Sequence, residues 1–306
     1  MQDRRGFLVQ SAAAMGVAAG LVAAPAAPAA APDPHRRFNL NFAPHEGMFK
    51  EHAGPDLIDQ LEFMADRGFG AFEDNHMMSR PVAVQKKIGN ALARLNMTMG
   101  VFVLDTGDQW RSTSLTTGRP EYHQRFIDTC RQAVEVAQRV QAKWITVVPG
   151  NFAHELPLGI QSANVLNTLR AGADILAKSN LVMVLEALSD TPEFFLRTSD
   201  QAYALCRAVD SPACKILFDM YHMQRNEGDL IQHMDLVWEE VAYFQIGDNP
   251  GRFEPGTGEM NYQNVLNHLH SRGYSGVLGT EHGNSQPGRP GELLVIDAYR
   301  RVDVPS

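Results

Sequence analysis

The chain has 306 residues, 44% hydrophobic and 20% charged, which is enough apolar material for one large core or two ordinary ones. Its net charge of −8 offers no cationic surplus to a phosphate backbone and argues against a nucleic-acid partner. Three cysteines cannot make a disulfide framework; Cys130, Cys206 and Cys214 sit in apolar runs and read as buried thiols, with a Cys206–Cys214 bridge left open.

The first residues, MQDRRGFLVQ, set Arg4 and Arg5 ahead of the mild apolar run AAAMGVAAGLVAA and an Ala/Pro stretch. That order reads as an export leader over 1–31, with cleavage between Ala24 and Ala31, and the arginine pair resembles the twin-arginine type. The run is shorter than the roughly 20 strongly apolar residues of a membrane span, so no stable anchor is expected and the mature protein is expected in the periplasm.

From there on, short apolar runs alternate with helix-period segments. The runs cover 38–44, 69–74, 97–105, 144–150, 181–188, 215–222, 241–248 and 275–283; helical period marks 55–68, 123–142, 161–180, 199–210 and 261–273. Eight strand–helix units without a compositional break predict a single-domain α/β (β/α)8 TIM barrel over 36–303. An open doubly wound sheet is the competing architecture, but no G-x-G-x-x-G turn follows the first run.

In such barrels chemistry sits where strands end. The fifth run carries Glu186, the sixth Asp219, the seventh Gln245 and the eighth Glu281, an oxygen ligand on each of four consecutive strands. Any one of them alone reads as a helix cap or loop acceptor. Three carboxylates facing one another repel unless a cation joins them, and an all-oxygen set suits Mg²⁺ or Mn²⁺ better than zinc. His222, three residues after Asp219, is placed to reach whatever that cation holds.

The segment FQIGDNPGRFEPGTGEMNY, 244–262, resembles the hydroxypyruvate isomerase branch of the xylose-isomerase-like superfamily. Gln245, Asp248, Pro250, Gly251, Arg252, Glu254, Pro255, Gly256, Gly258 and Glu259 keep that pattern, and the likeness spans roughly 36–300. The resemblance implies metal ligands at Glu186, Asp219, Gln245 and Glu281, substrate contacts from His222 and Arg252, and barrels that often pair as homo-oligomers. Related ketose 3-epimerases share the Asp219-to-His222 step but tend to carry His where this chain has Gln245. Three departures stand out: His282 directly follows Glu281, where the branch tends to have an aromatic or apolar residue, EALSDTPEFFL matches only loosely, and an export leader is unusual for an enzyme of cytoplasmic two- and three-carbon metabolism.

The implied activity is a metal-dependent isomerase on a small hydroxy-carbonyl or sugar substrate, with Glu186 and Glu281 moving a proton through an enediolate. An exported sugar epimerase, a lyase or hydrolase of keto-glycosides, and a non-catalytic carbohydrate-binding barrel are the alternatives. A metal-dependent endonuclease of the same superfamily would need a His-rich zinc cluster and a basic groove, and the sequence displays neither.

Overall fold

Nine strand segments, all paired in parallel, make the wall of a barrel in the computed structural model, which describes His35 and residues 37–304. The expected leader, residues 1–31, lies outside them. The segments are β1 (Asn41–Pro44), β2 (Ala71–Phe72), β3 (Thr98–Met99), β4 (Phe102–Val103), β5 (Trp144–Val147), β6 (Val182–Glu186), β7 (Cys214–Asp219), β8 (Val241–Gln245) and β9 (Val277–Thr280). Seven pair in the order β1-β9-β8-β7-β6-β5-β4, and β2 pairs β3. A parallel bridge, His45 to Glu73, ties the ends of the first two strands together. β3 and β4 are halves of one barrel strand, the third, so nine segments give the expected eight.

Strand side chains alternate, and here the alternation decides where the polar residues go. Ala43, Ala71, Val101, Val184, Leu217, Tyr243 and Val277 fill the barrel interior as one cluster. Two residues further along the same faces lie Glu73, Glu186, Asp219 and Gln245, and Glu281 follows Val277 by four, so all five point inward at the strands' C-terminal rim. The intervening residues, such as Met183, Leu185, Ile216, Phe218 and Phe244, join the larger core beneath the helices.

Local chemistry sets the helix ends. Asp56 accepts from the backbone N–H groups of Ile58 and Asp59 to open helix Leu57–Asp66, and Thr198 with Gln201 forms a capping box for helix Ser199–Val209. Helix Pro120–Val140 opens on its proline and buries Phe126, Cys130, Ala133, Ala137 and Val140, one stripe at helical spacing.

The sixth strand ends at Asp219, as the sequence reading has it, and the rest of that run is helix: Asp219 Oδ1 accepts from the N–H groups of Tyr221 at 2.7 Å and His222 at 3.3 Å and starts helix Met220–Asn226. Apolar MY-H-M reads equally well as strand or helix, and the cap decides. The three cysteines are buried free thiols, so the Cys206–Cys214 bridge left open by the sequence is not formed.

Candidate active site

The barrel's C-terminal rim surrounds a cavity of about 370 Å³ whose wall includes Glu186, His222, Arg252 and Glu281. Glu186 closes β6, Asp219 closes β7 and Gln245 closes β8, with Asp219 directly opposite Gln245 in register. Asp219 serves twice. Its Oδ1 caps the following helix, while Oδ2 faces the site and accepts from Arg252 Nη2 at 3.0 Å. The same guanidinium reaches Glu281, with Nη2 2.6 Å from Oε2 and Nε 3.0 Å from the backbone carbonyl, and Asn75 donates to the other Glu281 oxygen at 2.7 Å.

The segment 244–262 turns out to be the scaffold that delivers Arg252. Asp248, fully buried, accepts from the backbone N–H groups of Asn249, Gly256, Gly258 and Met260 and winds the loop around itself. Glu254 pins the loop to Ser285 through that residue's N–H and hydroxyl. Arg252 sits at the crest with φ of +55°, an uncommon conformation that this bonding holds in place. The residue placed by sequence against substrate therefore also touches two of the expected ligand carboxylates.

His222 is 1% exposed and its tautomer follows from its neighbours. The Ser189 backbone N–H donates to Nδ1 at 3.2 Å, so the ring proton of the neutral form is on Nε2. Among the described residues that Nε2 has no hydrogen-bond partner; it stands 3.6 Å from Asp219 Oδ2 and 3.8 Å from Glu186 Oε1, in the wall of the cavity. Glu186, Asp219 and His222 bring one potential ligand atom each within 4.8 Å of one another. With Nε2 protonated, His222 is a donor to an oxygen rather than a ligand.

Burial holds the Glu186 carboxyl well above the usual carboxylate range, the charges of Glu281 and Asp219 push it further, and Arg252 pulls the other way. Three carboxylates against one guanidinium leave the site two charges short of neutral. A divalent cation fits this donor set on a second ground as well: the Gln245 amide oxygen is buried with no hydrogen-bond partner, an orphan that a hard cation would satisfy.

The sequence reading overlooked the opposite side of the rim. Glu73, after β2, is fully buried and hydrogen-bonded to His45 Nε2, after β1, and Gln245 Nε2 lies 3.4 Å from its Oε2. Its carboxyl is raised by burial, against the pull of His45. Burial draws His45 down, but the charge of Glu73, its hydrogen bond and the charges of Glu281 and Asp74 together outweigh it and the imidazole is raised. A Cβ on Gly279 would overlap the Glu73 carboxylate, so that glycine makes its niche. The signal was present, since Glu73 ends the second apolar run as Glu186 ends the fifth. His282 has the opposite fate. It stacks on Tyr299 at 5.8 Å and bonds its hydroxyl at 2.7 Å, and burial lowers its pKa to about 4. It is a packing histidine.

Comparison with known proteins agrees with this geometry. The sequence model of the xylose isomerase-like TIM barrel matches residues 61–301. The chain belongs to that family. Among its relatives, the hydroxypyruvate isomerase of Escherichia coli K12 is 33% identical over 86% of this chain and 99% of its own length. The 2-oxo-tetronate isomerase of Cupriavidus necator is 27% identical over 77% and 89% respectively. A crystal structure of an AP endonuclease, family 2, from Brucella melitensis superposes with a TM-score of 0.72 at 24% identity, covering 82% of this chain and 96% of that one; at that identity the likeness speaks for the barrel alone. The curated relatives support an isomerase among the xylose isomerase-like barrels.

Proposed function

We propose that the chain is a metal-dependent isomerase that shifts a carbonyl between adjacent carbons of a small α-hydroxy-carbonyl compound, as a hydroxypyruvate isomerase does. The observation that carries the reading is the surplus at the rim: the carboxylates of Glu186, Asp219 and Glu281, with an amide oxygen and an imidazole N–H that have no partner among the described residues, against the one guanidinium, Arg252, that is bonded to these acids. Glu186, Asp219, Gln245 and Glu281 would hold the cation, Mg²⁺ or Mn²⁺ by their oxygen chemistry. When bound, it supplies Lewis-acid polarisation of the substrate carbonyl.

The protein's own groups do the proton work. Glu186 and Glu281 stand on strands that are not neighbours in the sheet, separated by β7 and β8, so they address a bound substrate from different sides. One takes the proton from the hydroxyl-bearing carbon, leaving an enediolate. The other returns a proton to the former carbonyl carbon, which completes the aldose–ketose exchange. His222 Nε2–H, fixed by Ser189, donates to a substrate oxygen and relays the hydroxyl proton. Arg252, whose fork suits an oxygen pair, trades part of its hold on Asp219 and Glu281 for substrate oxygens. Export to the periplasm as a folded, twin-arginine-type precursor belongs to the same reading.

The test is metal content together with solvent deuterium exchange into a panel of α-hydroxy-carbonyl compounds, with a Glu186→Gln/Glu281→Gln variant alongside. Near-stoichiometric metal and exchange in the wild type, both lost in the variant, are expected. Metal without exchange would redirect the reading to lyase or hydrolase chemistry on glycosides, and a protein that takes up no metal would sink it.

A further inference from the structure

Resting on that isomerase reading, we infer that the substrate is a sugar acid longer than three carbons, held by its far carboxylate on Arg111. The first ground is size. The cavity, about 370 Å³, has the size of an ordinary small-molecule pocket (roughly 300–1,000 Å³) and is roomier than a three-carbon keto acid requires.

The second ground is which cation is free. Two arginines and no lysine line the cavity. Arg252 is committed to Asp219 and Glu281. Arg111 forms no ion pair and no side-chain hydrogen bond among the described residues, yet it is held in place: its guanidinium carbon lies 4.1 Å over the Trp110 ring, and its carbonyl accepts from Asn151 at 3.0 Å. Trp110 is braced in turn by Phe194, nearly parallel at 6.3 Å between ring centroids. Arg111 is exposed and its guanidinium, resting on Trp110, is open to a carboxylate that enters the pocket.

The third ground is the rest of that wall. Asp105, Asp190, Ser79 and Asn75 offer acceptors and donors suited to hydroxyl groups, and Trp110 offers a flat face to a carbon chain. In a three-carbon keto acid the carboxylate adjoins the reacting carbonyl, whereas Arg111 stands in the loop after β4, on another part of the wall from Glu186 at the end of β6 and Glu281 after β9, so a longer chain is set between them. A five- or six-carbon acid of the uronate kind, with carbonyl and carboxylate at opposite ends, meets both.

The experiment is deuterium exchange by the Mn²⁺-supplemented protein into hydroxypyruvate and into a set of pentose- and hexose-derived acids, each paired with the neutral sugar of the same configuration. Arg111→Gln and Arg111→Lys are compared with wild type. At least one long acid is expected to exceed its neutral partner about tenfold in kcat/KM. Arg111→Gln should raise KM for that acid by roughly ten- to a hundredfold, the value of a charge-assisted pair, and by far more than for the neutral sugar, with Arg111→Lys recovering part. Neutral sugars exchanging as well as the acids, an unchanged KM in Arg111→Gln, or hydroxypyruvate as the best substrate would overturn the inference and leave the isomerase reading standing. No exchange from any compound would overturn both.

Discussion

The two halves of the rim solve the same problem in opposite ways. Beside β1 and β2, one buried carboxylate meets one histidine: Glu73 is bonded to His45 through one oxygen and its niche is made by Gly279, while its Oε1 has no partner among the described residues. Along β6 to β9, Glu186, Asp219 and Glu281 face a single Arg252, and two buried polar atoms, Gln245 Oε1 and His222 Nε2, are left without partners. A buried ion pair with matched members holds a structure together, whereas an unmatched set is tolerated only where something else is meant to bind. On the proposed function the contrast would separate a supporting acid from working ones, although all four stand at strand ends.

The sharpest way to break the comparison is to remove acids from each half and follow proton exchange. Glu186→Gln/Glu281→Gln is expected to cut exchange by about 10³–10⁴-fold, since the two act as a unit and their losses do not add. Glu73→Gln, which keeps the shape and one acceptor, should cost less than about tenfold. Equal losses from both would mean that Glu73 belongs to the working set. Stability should rank the halves the other way round. Glu73→Ala strands His45 and empties the niche, and a loss of about 3–5 kcal/mol is expected in urea unfolding. Gly279→Ala pushes a methyl into the same carboxylate and should cost about 1–3 kcal/mol.

Much of this was legible because strand parity is legible. Val184 and Glu186, Leu217 and Asp219, Tyr243 and Gln245 are two apart, so once the runs are read as barrel strands their polar ends must share a rim. Arg252 was legible through its motif, but the motif's reason was not: Asp248 binding four backbone N–H groups is a loop device that spacing alone does not reveal. The Glu73 side was hidden because its partners come from far along the chain, with Gly279 making room for an acid 206 positions earlier, and because FGAFED ends in two acids of which only the first faces inward. Helix Gly288–Val302 was missed for a simpler reason: GRPGE looks like a loop, and the helix tolerates its proline in the first turn.

The smallest expected effect distinguishes the halves most cleanly, because it needs no substrate. With chelator present, burial and the charges of Glu281 and Asp219 keep the folded-state pKa of Glu186 above the unfolded value of 4.5. An acid raised on folding contributes stability below its unfolded pKa and loses it as pH climbs towards the folded one, because the unfolded chain ionises first. Wild-type protein should therefore lose stability against Glu186→Gln as pH climbs above the unfolded value, read as a growing gap between their urea midpoints. Saturating Mn²⁺ should close or reverse the gap, since a divalent charge beside Glu186 favours its ionised form and ligand binding stabilises the wild type selectively. A gap that stays flat with pH and indifferent to Mn²⁺ would mean that Glu186 is balanced by its neighbours as Glu73 is by His45, and the distinction between the two halves would fall.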